Sequence, residues 1–238
     1  MRAERALARL HGAELNFELQ PVECYTPERG WHADVLSQRL PSEPPGSPAP
    51  GGPWEIARRL VEGYRMADPA LVRAMWDPHA PLLGRDMLLE LRLYRILSVH
   101  AGVRVTEVWD EERVVDGRGA RVFGFEYATL QGHVEAGRMD YEVIKWPDDG
   151  AVEFRLHAHS RASEDGAPWV RLGFRLVGRR EQVRFYLHCC ERMARLTAGE
   201  LGLPDETPPA AVRLTAADAP DTAEVAERLV PRRTKRPA

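Results

Sequence analysis

Apolar residues recur three and four positions apart over residues 169–201, near the end of the chain. This spacing places them along one stripe of an α-helix and does not fit the two-residue alternation of a strand. The segment is therefore predicted to form one long helix. Its apolar stripe consists of Val183, Tyr186, Leu187, Cys190, Met193, Ala194, Thr197 and Leu201.

Upstream of this helix, apolar and polar residues alternate, which is typical of strands that bury one face. The alternation is cleanest around Val152, Phe154 and Leu156. Turn residues rather than helices separate the segments, so an antiparallel sheet is expected. Residues 110–119 and 131–137 are predicted to be turns or loops. The predicted strands are residues 87–97, 103–109, 121–129, 139–146 and 152–160.

A sheet with one apolar face has to bury that face, and the long helix is the best cover that the chain offers. The predicted fold class is therefore α+β, with a curved antiparallel sheet wrapped around a long C-terminal helix. A pocket between sheet and helix would be lined by aromatic residues such as Phe123, Phe125 and Tyr127. The pattern does not distinguish an open pocket from a filled core.

The remaining parts of the chain suggest one domain with two extensions. Residues 1–14 are predicted to contain an N-terminal helix, residues 15–202 the single sheet-and-helix domain, and residues 203–238 a largely disordered tail. Within the domain, residues 41–53 read PSEPPGSPAPGGP, which is typical of a loop or a partly disordered connector.

The first half of the domain has weaker patterns. Residues 15–19 alternate like a short strand, and residues 22–52 show no periodicity. Pro53 is well suited to begin a helix, because its missing N–H is not needed in the first turn. A second short helix is expected over residues 69–76.

The composition is that of an ordinary globular protein: 238 residues, 44% hydrophobic, 29% charged and a formal charge of −3. A net negative charge of this size does not indicate binding to nucleic acid. No apolar run approaches the roughly 20 residues of a membrane span, and no signal-peptide pattern is present, so a cytoplasmic location is expected. The short basic tail at residues 232–236 is expected to be solvated. No protein partner is indicated.

The three cysteines, Cys24, Cys189 and Cys190, are an odd number, and two of them are adjacent, so all three are expected to be reduced. No CxxC pair is present, which makes a thiolate zinc site improbable. No metal and no cofactor are expected.

Three stretches together resemble a known bacterial and plant family. They are GRDMLLELRLYRI at 84–96, GFEYATLQGHVEAGRMDYEVIKWPDDGAVEFRLHAHSR at 124–161, and RLGFRLVGRREQVRFY at 171–186. They carry the patterns TLxGHxExG, FRxHAxSR and RLGFRLxGRRE, and the chain resembles domain-of-unknown-function family nineteen-ninety over roughly residues 15–200. This uncharacterised family is similar in layout to helix-grip proteins of the START and polyketide-cyclase type. The resemblance implies that a small apolar or amphipathic ligand lies between sheet and helix.

Thr129, His133 and Glu135 lie between two predicted strands, flanked by Gly132 and Gly137. A histidine beside a carboxylate can act as a general base near neutral pH, or both can contact a ligand. The simpler interpretation is a shaped hairpin loop in which Thr129 and Glu135 bind backbone N–H groups.

Tyr127, Ser160, Arg161 and Arg85 complete the candidate ligand-binding residues. An arginine can bind a carboxylate or phosphate group of a ligand through two parallel hydrogen bonds. The structural alternative for both arginines is an ion pair with an acidic residue on the surface. The arginines at the start of the long helix, Arg179 among them, are expected to be a solvated face.

His157 and His159 share one strand face and could coordinate a metal, but they should point away from the apolar face. A solvated sheet face is therefore the preferred interpretation for both.

Three functions fit the sequence. The first is a module that binds a small amphipathic molecule between sheet and helix. The second is an enzyme of cyclase, isomerase or hydrolase type that uses His133 and Glu135. The third is a regulatory or interaction domain with a filled core. The volume enclosed between the sheet and residues 180–200 discriminates between the first and the third.

Overall fold

The computed structural model describes residues 2–93, 97–163, 168–204 and 210–213, with only the backbone described for residues 2–4, 93, 97 and 168–178. The helices are α1 (Arg2–Leu10), α2 (Pro53–Glu62) and α3 (Pro168–Glu200). The strands are β1 (His32–Arg39), β2 (Val72–Met75), β3 (Asp86–Leu93), β4 (Leu97–Val115), β5 (Arg118–Thr129), β6 (Glu135–Lys145), β7 (Val152–Ala162) and β8 (Ala211–Arg213).

The eight strands form one antiparallel sheet in the order β2-β3-β4-β5-β6-β7-β1-β8. Strands β2 to β7 follow one another as a meander, and β1 returns to the sheet beside β7. Helix α3 packs against β1, β7 and α2 on one face of the sheet, here called the inner face. The predicted α+β class, with a curved antiparallel sheet around a long C-terminal helix, is confirmed.

The inner face and the helix stripe form one core. Phe123, Phe125 and Tyr127 of β5 are buried there, as the alternation predicted. On α3, Val183 and Met193 are fully buried, and Leu187 and Leu201 are partly buried. Burying such side chains is worth about 1.5–3 kcal/mol each, so this contact is a main source of stability.

Several predicted elements or boundaries are wrong, including the loop over 131–137, because β6 already begins at Glu135. Residues 69–76 do not form a helix, because Val72–Met75 pairs with β3 as the edge strand β2. Residues 15–19 make only an isolated bridge, Leu15 to Leu130. The predicted turn at 110–119 is shorter, since β4 continues to Val115 and the chain reverses at Asp116 and Gly117.

Strand β1 was not predicted at all. Its inward positions include Asp34 and Gln38, both fully buried, so the strand lacks the apolar alternation that identifies a half-buried strand.

Residues 41–53 contain no strand, as predicted for a loop, but a buried ion pair fixes them to the sheet. The Lys145 ammonium lies 2.7 Å from the Glu43 carboxylate and donates hydrogen bonds of 3.0 Å to the carbonyl oxygens of Pro44 and Ser47. Gly52 precedes Pro53, the first residue of α2. The loop is therefore an ordered connection between β1 and α2, held to the sheet by Lys145, and not a disordered connector.

The two extensions are described in part. Helix α1 contacts β3, and β8 pairs with β1 through Val35, Leu36 and Ser37. The basic segment 232–236 lies outside the described residues. In the described part of the chain, no helix is long and apolar enough to cross a bilayer.

Candidate ligand-binding cavity

A cavity of about 120 Å³ lies between the inner face of the sheet and α3. For comparison, an apolar cavity of about 150 Å³ in another protein accommodates one benzene molecule. The space therefore suits a ligand about the size of a single ring. Its apolar walls come from Leu71, Val72, Leu89, Leu91, Met139, Ala158 and Phe185.

One end of the cavity is polar, and Gln182 of α3 is its centre. The side-chain amide of Gln182 donates hydrogen bonds of 2.9 Å to Glu135 Oε1 and to Ser160 Oγ. Its carbonyl oxygen accepts a hydrogen bond of 2.7 Å from Arg179. Glu135 begins β6 and Ser160 lies near the end of β7, so the helix connects two strands here.

Arg179 is held by a buried carboxylate. Its guanidinium donates two hydrogen bonds, of 2.5 and 2.6 Å, to the two oxygens of Asp34, which is 1% exposed. This bidentate pair neutralises both charges. The expectation of a solvated helix face is therefore wrong for Arg179. The side chains of Arg171 and Arg175, eight and four residues earlier, lie outside the described residues.

Glu135 is half-buried and lines the cavity. Burial raises the pKa of its carboxyl to about 8, with Asp34 adding to the rise and Arg179 opposing it. A buried carboxyl without a close cation favours its neutral form. Among the described residues Glu135 makes no ion pair, and its side-chain hydrogen bond comes from Gln182.

His133 shapes the turn before β6. Its Nδ1 accepts a hydrogen bond of 3.0 Å from the backbone N–H of Glu135, and burial lowers its pKa to about 4. The imidazole is therefore neutral at pH 7, with its proton on Nε2. Thr129 accepts a bond of 2.9 Å from the Gly137 N–H and donates one of 2.6 Å to Asn16. These are the contacts of a shaped hairpin loop, although both residues also line the cavity.

Tyr64 and Tyr127 also line the cavity, and their hydroxyls lie close to that of Tyr141. The hydroxyls of Tyr127 and Tyr141 are 3.3 Å apart, and that of Tyr64 is 3.4 Å from Tyr141. Burial raises the pKa of Tyr127 to about 12, so it stays protonated. Tyr186 of α3 lines the cavity near Glu135, and no group in the described part of the chain bonds its hydroxyl.

The sequence was compared with models of known families. The model described as Domain of unknown function (DUF1990) matches residues 18–192, well over half of the chain. The chain belongs to the DUF1990 family. This confirms the resemblance found in the three sequence stretches. Comparison with curated proteins gave no match.

Several solved structures resemble this DUF1990 protein. Ara h 8.0201 has a TM-score of 0.39 and 8% identity, covering 73% of this chain and 99% of its own. DR_A0006 from Deinococcus radiodurans has a TM-score of 0.35 and 12% identity, covering 71% and 98%. CV1439 from Chromobacterium violaceum has a TM-score of 0.37 and 13% identity, covering 72% and 98%.

Five of the seven candidate ligand-binding residues meet at this cavity: Tyr127, Thr129, His133, Glu135 and Ser160. Arg161 and Arg85 do not line it. The Arg161 guanidinium lies 4.9 Å from the centre of the Trp31 ring. Arg85 donates a hydrogen bond of 3.2 Å to the carbonyl oxygen of Ala80 and lies over Trp76.

His157 and His159 lie on the outer face of the sheet, as their alternation predicted. The prediction that this face is solvated is wrong at His159. It is 9% exposed, and the ring of Tyr25 lies 5.4 Å from its own ring. Burial lowers the pKa of both histidines to about 4. Where side chains are described, no group of three or more His, Cys, Asp or Glu residues is arranged to hold a metal ion.

The polar end is organised by three residues that the sequence pattern did not predict there: Asp34, Arg179 and Gln182. Asp34 lies in the strand that was not predicted, and nothing in its neighbourhood marks it as buried. Gln182 directly precedes Val183 of the predicted stripe, and this proximity was the only available signal for it.

Proposed function

We propose that this DUF1990 protein binds a small amphipathic molecule in the cavity between its sheet and α3. The observation that carries the proposal is the combination of largely apolar walls with the hydrogen-bonded group of Glu135, Ser160 and Gln182. Leu89, Leu91 and Phe185 line the apolar part, and Glu135 and Ser160 lie at the polar end. Such a combination is typical of small-molecule sites.

The cavity volume suits about one ring with a short polar substituent. The space also argues against a filled core, because an interior that served packing alone would close around its side chains at a density near 0.75, about that of an organic crystal.

Acid–base catalysis is a second candidate, and Glu135 is the residue that favours it. Its pKa of about 8 lies near neutrality, where a carboxyl both gives and takes protons efficiently. His133 is a weaker candidate, because its Nδ1 already accepts the Glu135 N–H and its pKa of about 4 keeps it neutral. This function requires a ligand in the same cavity, so the binding test comes first.

The test is native mass spectrometry of protein purified from its own host, followed by a thermal-shift screen of single-ring and short-chain amphiphiles. A co-purified molecule or a concentration-dependent rise in Tm supports binding. The variant Ala158→Leu adds three carbon atoms to the cavity wall and is expected to abolish the shift. Ala70→Leu, at an exposed position, is the matched control. No bound mass and no shift with any compound would refute the proposal.

A further inference from the structure

The charge distribution around the cavity narrows the chemistry of its ligand. We propose that the ligand is a small amine, whose ammonium group is held by the Glu135 carboxylate while its apolar body lies against Leu89, Leu91 and Phe185. This inference rests on the proposed function and specifies the ligand class for the same cavity.

Glu135 differs from the other charged side chains that line the cavity, because each of the others has an oppositely charged partner. The pairs are Arg92 with Glu90, Arg138 with Glu126, and Glu181 with Arg184. Glu135 instead accepts a hydrogen bond from the neutral side-chain amide of Gln182. Among the described side chains, one negative charge at the cavity wall therefore has no counter-ion.

Arg179 is a described cation whose charge acts on Glu135, but its guanidinium is already paired. Both of its terminal nitrogens bind the carboxylate of Asp34, and one also binds Gln182. Of the side chains described at this end, Asp34, Arg179 and an ionised Glu135 together carry a net charge of −1. An anionic ligand would increase this imbalance, whereas a ligand cation would remove it.

The unliganded protein avoids the imbalance by protonating Glu135. A neutral carboxyl is the less costly state of a buried acid without a cation. An ammonium group that enters the cavity changes this balance, because the ion pair favours the ionised carboxylate. Binding of the amine should therefore release a proton from Glu135 to the solvent near pH 7.

The surroundings of Glu135 also suit an ammonium group. An ammonium has three donors and needs acceptors in several directions. Glu135, Ser160 and Tyr186 line the cavity, and each carries a side-chain oxygen that can accept a hydrogen bond. Phe185 and Tyr186 add aromatic faces, which attract cations.

The test compares three probes of nearly equal shape and different charge: benzylamine, benzyl alcohol and benzoate. Isothermal titration calorimetry at pH 7 measures each affinity for the wild-type full chain. We expect benzylamine to bind at least about tenfold more tightly than the other two, a difference of about 1.4 kcal/mol. Repeating the benzylamine titration in buffers of different ionisation enthalpy should show proton release.

Glu135→Gln keeps the size and the hydrogen bond of the side chain and removes its charge. We expect this variant to lose about tenfold in benzylamine affinity, to release no proton, and to bind benzyl alcohol within about threefold of wild type. Glu112→Gln makes the same substitution at an exposed position on β4 and should behave as the wild type.

The outcomes separate the two proposals. If benzyl alcohol or benzoate binds the wild type as well as benzylamine does, the amine assignment is overturned and the binding function stands. If none of the three probes binds, the binding of single-ring amphiphiles is refuted and the amine assignment falls with it. The wild-type comparison uses no variant, so a folding defect in Glu135→Gln does not affect it.

Discussion

The side-chain amide of Gln182 donates a hydrogen bond of 2.9 Å to Oε1 of Glu135, which joins α3 to β6 at the polar end of the cavity. The same nitrogen reaches Ser160 of β7, also at 2.9 Å. Gln182 therefore orients Glu135, the residue that we propose as the ligand contact. The same two hydrogen bonds connect α3 to β6 and β7.

We expect Gln182→Met to lower the free energy of unfolding by about 1–3 kcal/mol, because Glu135 and Arg179 each lose a hydrogen-bond partner in a largely buried site. Urea denaturation followed by circular dichroism measures the change. Arg195→Met makes a similar unbranched substitution at an exposed position of α3 and should change stability by less than about 0.5 kcal/mol. Equal losses in the two variants would contradict the role assigned to Gln182.

Glu135 should also make stability depend on pH. Its pKa rises from 4.5 in the unfolded chain to about 8 in the folded chain, so between these values the folded state binds the proton more tightly. The stability that this provides is complete below pH 4.5 and is lost as the pH rises through 8. The loss should be on the order of 1 kcal/mol per pH unit within the window.

Three side chains near Glu135 do not change their protonation between pH 5 and 8: His133 has a pKa of about 4, and burial keeps Tyr127 and Tyr186 protonated. Asp34 and Arg179 form an ion pair. The measurement is therefore the difference in unfolding free energy between wild type and Glu135→Gln from pH 5 to 9. It should fall as the pH rises to about 8 and then level off. A difference that does not vary with pH would exclude a raised Glu135 pKa.

Local patterns were sufficient to predict α3 and most of the sheet. The helix was expected over residues 169–201 and spans Pro168–Glu200, and β7 was expected over 152–160 and spans Val152–Ala162. Both patterns arise from a continuous apolar face that packs against a large partner. In these elements the short-range spacing and the long-range burial agree, so the sequence alone is informative.

The polar end of the cavity could not be predicted in the same way. Asp34 is buried because Arg179, 145 residues later, reaches it with two hydrogen bonds. Without that partner, an aspartate in the middle of a short polar segment indicates a loop. Strand β2 was missed for a related reason, because its pairing with β3 overrides the helical appearance of residues 69–76. Such contacts depend on the assembled fold.

The buried ion pair between Lys145 and Glu43 should be the main interaction that holds residues 41–53 against the sheet. Lys145→Met removes the cation and leaves a buried carboxylate, so we expect a loss of about 3–5 kcal/mol. The carbonyl oxygens of Pro44 and Ser47 lose their donor as well. Chemical denaturation measures the loss, and limited proteolysis should show cleavage within residues 41–53.

The double variant Glu43→Gln with Lys145→Met tests this mechanism, because it removes the uncompensated charge. Its stability should exceed that of Lys145→Met alone, since much of the cost of breaking a buried pair lies in the charge that is left behind. If the double variant is less stable than the single one, the destabilisation has another origin, such as lost packing of the lysine side chain.

Gly137 should be intolerant of any side chain, because a β-carbon added there would lie 2.4 Å from the carbonyl oxygen of His159 on the adjacent strand. We expect Gly137→Ala to destabilise the protein by about 2 kcal/mol, since β6 and β7 would have to separate locally. Gly119→Ala on β5 is the matched control, because no atom lies within 4 Å of its added β-carbon. Gly137 and Ser160 are paired across the strands beside the cavity, so the separation should also weaken ligand binding. Equal thermal stability of the two alanine variants would show that β6 and β7 can separate at this point without a loss of folding free energy.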